Sequence, residues 1–378
     1  MKSNFINIFY ENFKNINDYF FKLGYFEKEI NIKEISFEIS KKKSRGNISS
    51  NVILIYRKFL NIDFDEFKKN IKSSLESIDY INKIEITNKG FLNIFFEKKF
   101  LFNQLNNLLI EKDKFGKSNI GKNQKINIEF VSANPTGPLH IAHSRGAVFG
   151  DVLSNMMKSL GYEVTREYYM NDTGSQIEIL AHSLFIRYKE LYNIFDETLG
   201  SNSYPGDYLI DIANEIKKNY GKKWIKEEKD LRIKFFKEYA IEKITESIVN
   251  DLKLIGIVFD NFISEKEIVK KKYIDLVFEK LKKKNLLYEG ILEKPKGESD
   301  LDWEPRKQLL FKSSELGDDL DRPFLKSNNE WTYFANDVAY HMNKVERKYQ
   351  YLINVLGADH TGYIKRIEAA VKALSENK

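Results

Sequence analysis

Residues 125–146 read K-I-N-I-E-F-V-S-A-N-P-T-G-P-L-H-I-A-H-S-R-G, and the hydrophobic period changes partway along them. Residues 125–131 alternate and are rich in β-branched and aromatic side chains, the pattern of a buried strand. Two prolines and a glycine within residues 134–138 then break that strand. From Leu139 the spacing becomes helical, with Leu139, Ala142, Ala147, Val148 and Val152 available for one apolar face. A strand, a tight loop and a helix in direct succession predict a nucleotide-site geometry, because the free N–H groups at the helix start receive phosphate oxygens. His140 and His143 point the same way in the first turn and can reach one ligand. Taken alone, two histidines at this spacing are more often a metal pair or surface residues.

The string Pro138-Leu139-His140-Ile141-Ala142-His143 resembles the HIGH signature of class I aminoacyl-tRNA synthetases. The wider stretch from Glu129 through Asp151 is similar to arginyl-tRNA synthetases in particular. Further matches follow along the chain. Asn171-Asp172-Thr173-Gly174-Ser175-Gln176 resembles the family's N-D-x-G-x-Q, and Gln308 to Ser314 and Gly317 to Arg322 resemble strings leading back to the catalytic sheet. Tyr333 and Asp337 fit a Y-x-x-x-D pattern, and Gly357-Ala358-Asp359-His360-Thr361-Gly362 fits G-x-D-H-x-G.

The resemblance implies an α/β fold: a Rossmann-like parallel sheet with a helical insertion, preceded by a small α+β domain. It assigns residues 1–118 to that N-terminal, tRNA-contacting domain and 119–378 to the catalytic domain, interrupted at about 190–300. It implies ATP binding by Gly137, His140, Ala142, His143, Gly357, Asp359 and His360, with His140 and His143 catalytic. Arginine is assigned to Tyr333 and Asp337 on one wall of its pocket and to Glu129, Ser132 and Asn134 on the other. A carboxylate is what such a substrate needs, since a guanidinium donates in a planar fork and accepts nothing. Ala142 stands where the family signature has glycine, placing a methyl group where adenine lies against bare backbone. His182 reads as a structural residue in the apolar face of the helix at 177–188.

The N-terminal region carries its own pattern. Phe5, Phe9, Phe13, Ile16, Phe20 and Leu23 predict an amphipathic helix ended by Gly24. Asn47 or Ser49 is expected to cap the apolar run 52–60, and Asp63 the helix that follows. Residues 83–87 and 91–96, joined by Asn88-Lys89-Gly90, predict a hairpin. Lys41, Lys42, Lys43 and Arg45 form the basic run best suited to tRNA phosphates, and a solvated charged loop accounts for any single one of them equally well.

Composition adds exclusions. The chain of 378 residues contains no cysteine, which rules out disulfides, thiolate nucleophiles and cysteine zinc sites, and fits a reducing, cytoplasmic compartment. No apolar run approaches membrane-spanning length, and the start is soon interrupted by Asn and Glu, so neither a span nor a signal peptide is expected. A formal net charge of +6 suits a nucleic-acid partner. It carries little weight here, because Lys, Asn, Ile, Phe and Tyr are all abundant, as codon bias alone would make them.

The implied chemistry is activation of L-arginine by ATP and transfer to tRNA(Arg), with Mg²⁺ carried by ATP and no metal site of the protein's own. A monomer is expected. The match stops before the family's K-M-S-K-S-type loop and helical anticodon-binding domain. This predicts negligible arginylation by residues 1–378 alone, with partial rescue when the missing C-terminal region is supplied as a separate fragment. A degenerate synthetase-like protein that binds RNA or arginine without catalysis is the other reading.

Overall fold

In the computed structural model, which describes residues 5–28, 30–31, 34–292, 306–357 and 362–375, the chain separates into two units, Met1–Ser118 and Asn119–Lys378. In the first, Phe5–Lys22 (α1) buries Phe13 and Phe20, and Gly24 ends it at φ +76°. Phe37–Ile39 (β1) pairs antiparallel with Ile48–Ser50 (β2). The apolar run at 52–60 is not one helix: Val52–Tyr56 (α2) tightens into a 3-10 turn over Arg57–Phe59. Its N-cap is Asn51 rather than Asn47 or Ser49, whose side chains are committed to the sheet. Asn47 Oδ1 accepts the Phe96 N–H at 2.8 Å, and Ser49 Oγ donates to Asn93 Oδ1 at 2.8 Å.

Asp63 caps Phe64–Glu76 (α3) as expected, accepting the N–H groups of Asp65 and Glu66 at 2.9 and 3.1 Å. Ile81–Ile86 (β3) and Leu92–Phe96 (β4) form the hairpin, completing an antiparallel sheet of order β1-β2-β4-β3. Its apolar face packs on Phe67, Ile71 and Leu75 of α3 and on Phe13 and Phe20, an arrangement with its own core. Lys98–Glu111 (α4) closes the unit.

The second unit begins with Lys125–Glu129 (β5), Ile141–Ser159 (α5), Glu163–Met170 (β6) and Ser175–Glu190 (α6). Tyr208–Tyr220 (α7), Lys223–Lys226 (α8) and Lys229–Leu254 (α9) follow. Next come Asn261–Ser264 (β7), Glu265–Lys270 (α10) and Tyr273–Lys283 (α11). Leu287–Gly290 (β8), Gln308–Phe311 (β9) and Arg322–Leu325 (β10) form a small antiparallel sheet. Tyr333–Glu346 (α12), Tyr351–Asn354 (β11) and Ile364–Leu374 (α13) complete the described residues. The stretch at about 190–300 is therefore not helical throughout. Residues 261–264 return to the parallel sheet, whose order is β11-β5-β6-β7.

That order places the ligand end. The chain leaves β5 toward β6 on one side, while β11 enters on the other, so the loops after β5 and β11 diverge above the C-terminal strand ends. Such a divergence is where open α/β sheets bind ligands. The pleat sorts the two faces of β5. Ile126, Ile128 and Phe130 join a core with Ala147, Leu180, Leu184 and Phe236, whereas Glu129 faces α12.

Two sequence expectations about helix faces need correcting. Helix α5 buries Ala147, Gly150 and Ser154, while Ala142, Val148 and Val152 are exposed. Gly150 decides this face, since a Cβ there would lie 2.2 Å from Cγ of Phe130. His182 is not in the apolar face of α6; it is exposed, with Nε2 2.8 Å from Glu197 Oε1. Most of the rest of α6 is buried against α7 and α9, which leaves the His182 position as its solvent edge.

Candidate active site

Strand β5 ends in a turn that the backbone resists. Val131 and Ser132 have φ of +68° and +41°, a region L-residues with branched side chains avoid. Side-chain bonds hold the turn: Ser132 Oγ donates to Glu129 Oε1 at 3.0 Å and accepts the Tyr169 N–H at 3.1 Å. Beyond it, Asn134 is exposed and donates to Gln176 Oε1 at 3.0 Å, tying the loop to the start of α6. Tyr208 braces the same loop, its hydroxyl donating to Thr136 O at 2.6 Å. Gly137 lies against that ring.

The loop delivers the chain to α5, whose N-cap is His140, so the helix starts two residues later than its spacing suggests. The rings of His140 and His143 stack with centroids 3.8 Å apart. The His140 N–H donates to His143 Nδ1 at 3.3 Å, which leaves the proton of neutral His143 on Nε2. Burial, and then His140, hold His143 below the usual histidine range. His143 thus presents an N–H donor at a helix N-terminus without requiring charge. Ala142 is exposed in the same turn. Gly357 is exposed just beyond β11, while Asp359 and His360 lie outside the described residues.

The other wall is built by α12, with Thr332 as N-cap accepting the Ala335 N–H at 3.2 Å. Its inward face carries Asn336, Asp337, Tyr340, His341, Lys344 and Arg347, spaced as one stripe. Lys344, fully buried, donates to Glu129 Oε2 at 2.5 Å and to Asn354 Oδ1 at 2.9 Å. Arg347 grips Glu167 with both terminal nitrogens, one of them at 2.8 Å. Tyr340 Oη lies 2.8 Å from Glu167 Oε1 and 3.1 Å from Glu129 Oε2, and its ring stacks on Tyr169 at 4.2 Å. Burial alone would raise both glutamates, but their cations hold Glu129 and Glu167 below the usual carboxylate range. His341 is buried and pushed down to about 4, chiefly by desolvation. Its Nδ1–H donates to Asp337 O at 2.8 Å and its Nε2 accepts from Asn354 at 3.1 Å.

Two carboxyl groups have no hydrogen-bonded cation among the described residues. Glu265, the first residue of α10, is buried and accepts from Tyr169 Oη at 3.0 Å, Thr173 Oγ1 at 3.0 Å and Asn336 Nδ2 at 2.8 Å, all neutral donors. Asp172 fixes this helix start, accepting from Ser264 Oγ at 2.6 Å and the Lys266 N–H at 3.0 Å. Asp337 has no hydrogen-bonded partner for its carboxyl among the described residues. Desolvation, then the Glu265 and Glu129 charges, push it up to about 8, against a weaker pull from Arg366. An acid raised by desolvation and by neighbouring like charges would be returned to its ionised form by a cation placed beside it.

Of the residues assigned from the sequence, Glu129, Ser132 and Asp337 thus share one electrostatic neighbourhood. Tyr333 stands one turn before Asp337 on α12 and keeps 69 % of its surface open. Glu265, Tyr169, Tyr340 and Lys344 went unnoticed in the sequence. The stripe Asp337, Tyr340, His341, Lys344 at helical spacing was the signal available for two of them.

Comparison with known proteins gives a consistent answer. Residues 104–375 match the family described as tRNA synthetases class I (R), catalytic domain, and residues 13–96 match the arginyl tRNA synthetase N terminal domain. An arginine–tRNA ligase of Jannaschia sp. is 40% identical over 346 residues, covering 92% of this chain and 60% of that protein. One from Ehrlichia ruminantium is 42% identical over 333 residues, 88% of this chain and 57% of its own length. The chain thus spans about 60% of the length of such relatives. The Thermus thermophilus arginyl-tRNA synthetase structure has the same fold, with a TM-score of 0.60 at 15% identity, over 98% of this chain and 64% of that one. By the extent of these matches, the chain belongs to the arginyl-tRNA synthetase family of class I.

Proposed function

We propose that this chain carries the arginine- and ATP-binding half-sites of a cytoplasmic arginine–tRNA ligase, acting on tRNA(Arg). One observation supports this above the others: among the described residues, Asp337 and Glu265 are two acidic groups with no hydrogen-bonded cation, at the C-terminal edge of a parallel sheet. A guanidinium fits that need, because its fork donates to two acceptors at once while carrying the missing charge. Glu129 spends Oε2 on Lys344, and Oε1 with Ser132 remains to receive the α-ammonium group. Asn134 and Tyr333 lie at the exposed margin, where they close over bound substrate.

In the first step a carboxylate oxygen of arginine attacks the α-phosphorus of ATP. The bond to the bridging oxygen breaks, and pyrophosphate leaves with its electron pair. His140 and His143 donate to the phosphate oxygens as charge builds, assisted by the N-terminus of α5. Mg²⁺ accompanying ATP supplies further charge neutralisation. Gly357, with Asp359 and His360, is assigned to the nucleoside. A ribose hydroxyl of tRNA then attacks the activated carbonyl carbon, releasing AMP. No side chain need be modified, since positioning and charge stabilisation carry such transfers. Lys41, Lys42, Lys43 and Arg45, around the 3-10 turn Lys43–Arg45, are proposed for tRNA phosphates.

The test is a calorimetric panel of amino acids against the whole chain. Arginine and other guanidinium compounds should bind at pH 8.5, and lysine and citrulline should bind at least roughly tenfold more weakly. No preference for a guanidinium would overturn the assignment.

A further inference from the structure

We propose that Lys344 is a positioning residue that sorts the charges of the pocket: by neutralising Glu129 it leaves Asp337 and Glu265 as the acidic pair open to the substrate. This rests on the arginine assignment above. One polar cluster joins Glu129 on β5, Glu167 and Tyr169 on β6, Glu265 on α10, and Asp337, Tyr340, His341, Lys344 and Arg347 on α12, with Arg366 of α13 at longer range. Four carboxyl groups therefore face two close cations. Arg347 belongs to Glu167 and Lys344 to Glu129, and neither is hydrogen-bonded to Asp337 or Glu265.

The placement of Lys344 is tightly determined. Its ammonium lies 4.5 Å from the Tyr340 ring centre and holds Asn354 at the end of β11, one strand from Glu129. It is sealed from solvent, so it does not compete with the substrate for Asp337. Without it, Glu129 would be a buried carboxylate beside Glu167 and Asp337, and it would take up a proton. Arginine would then have to displace two protons rather than one, from Glu129 as well as from Asp337. The lysine acts through Glu129 and never touches the substrate itself.

Lys344→Met keeps the stem and removes the charge. Arginine binding to the whole chain, measured by calorimetry at pH 6 and pH 9, separates the possibilities. The proposal expects a loss of about tenfold or more relative to the parent at pH 6, one pH unit of displaced proton being a factor of ten. It expects near-parental affinity at pH 9. A lysine needed only for packing would weaken binding equally at both pH values, and that result, or parental binding at both, overturns the proposal. Should Lys344→Met fail to fold by circular dichroism, the neutral pair Glu129→Gln/Lys344→Met decides. It should fold and bind with the parent's pH dependence, though not its full affinity; a different dependence, or failure to fold, overturns the proposal. A parent that binds no arginine removes the underlying assignment and this proposal with it, whereas a parent that binds with an unaltered Lys344→Met removes this proposal alone.

Discussion

The carboxyl group of Asp337 on α12 is kept from ionising first by its burial and then by the carboxylate of Glu265 on α10, two packed helices whose acidic groups have no hydrogen-bonded cation between them among the described residues. Like charges placed together in a desolvated site store free energy that an arriving cation releases. On the proposed assignment, a substrate guanidinium would complete a charge pattern that the fold leaves unfinished.

Asp337 should make the unliganded chain less stable as pH rises. Its folded-state value of about 8 exceeds the ordinary 3.8, so between these the folded state holds a proton that the unfolded state has lost. Stability attributable to Asp337 is complete below 3.8 and is lost as pH rises through 8. His341, held near 4 against an ordinary 6.5, acts oppositely between pH 4 and 6.5, where the unfolded state binds the extra proton. The two trends offset below pH 6.5, so the net fall should come between about pH 6.5 and 8, at up to about 1.4 kcal/mol per unit. Urea unfolding of the parent and Asp337→Asn across this range checks it: the variant should lack the fall.

Glu265→Gln should have two opposite effects on arginine binding. Removing its charge relieves Asp337, so the pH at which binding sets in moves down from about 8. The lost acceptor charge lowers the affinity reached at high pH, by about 1.5–3 kcal/mol for a charge-assisted bond. Calorimetric titration from pH 6 to 9 reads both. An unshifted midpoint would separate Glu265 from the pocket.

How much of this was legible in the sequence depended on what each residue advertises. The turn from strand to helix at 130–140 announced itself through Pro135, Gly137 and Pro138 and a change of period, so the parallel sheet and His140 with His143 followed. Asp337 came from a family pattern rather than from its own surroundings. Glu265 was hidden because β7 is a strand of four half-buried residues, N-F-I-S, inside a helix-rich and highly charged region. Lys344 was one of 61 basic residues and looked like any solvated lysine. Only the packing of α12 on the strand ends gives either one its meaning. The exposed faces of α5 show the converse, since apolar spacing marks a helix but does not say which side is buried.

Gly150→Ala and Gly146→Ala should differ in sign. A methyl at Gly150 meets the buried Phe130 ring at 2.2 Å, close to backbone rather than at a flexible end. Overpacking there should cost about 1–3 kcal/mol. Gly146, also within α5, has nothing within 4 Å of the added carbon, so alanine should gain roughly 0.5–1 kcal/mol of helix propensity. Denaturant unfolding of the two variants gives both numbers.

The basic run of the N-terminal unit should reveal itself through salt. Lys41, Lys42 and Arg45 are exposed beside the 3-10 turn Lys43–Arg45. If they bind tRNA phosphates, changing the three together to Gln should lower affinity and flatten the dependence of log K on log salt, by about 0.7–0.9 for each phosphate no longer neutralised. Filter binding of tRNA(Arg) between 50 and 200 mM salt (about the range in which such slopes are resolved) would show an unchanged slope if the run is merely solvated.

The most direct test joins the two halves of the site in one ligand. A non-hydrolysable arginyl-adenylate analogue should engage Asp337 and Glu265 at one end and the His140–His143 corner at the other. Its citrullyl counterpart has nearly the same shape but lacks the charge and carries an accepting oxygen in place of one donating NH2 group. Calorimetry with the whole chain at pH 8.5 should give roughly 10²-fold or tighter binding of the arginyl compound, since a site built around buried acceptors rejects an analogue that leaves them unpaired. Equal binding of the two compounds would contradict the account.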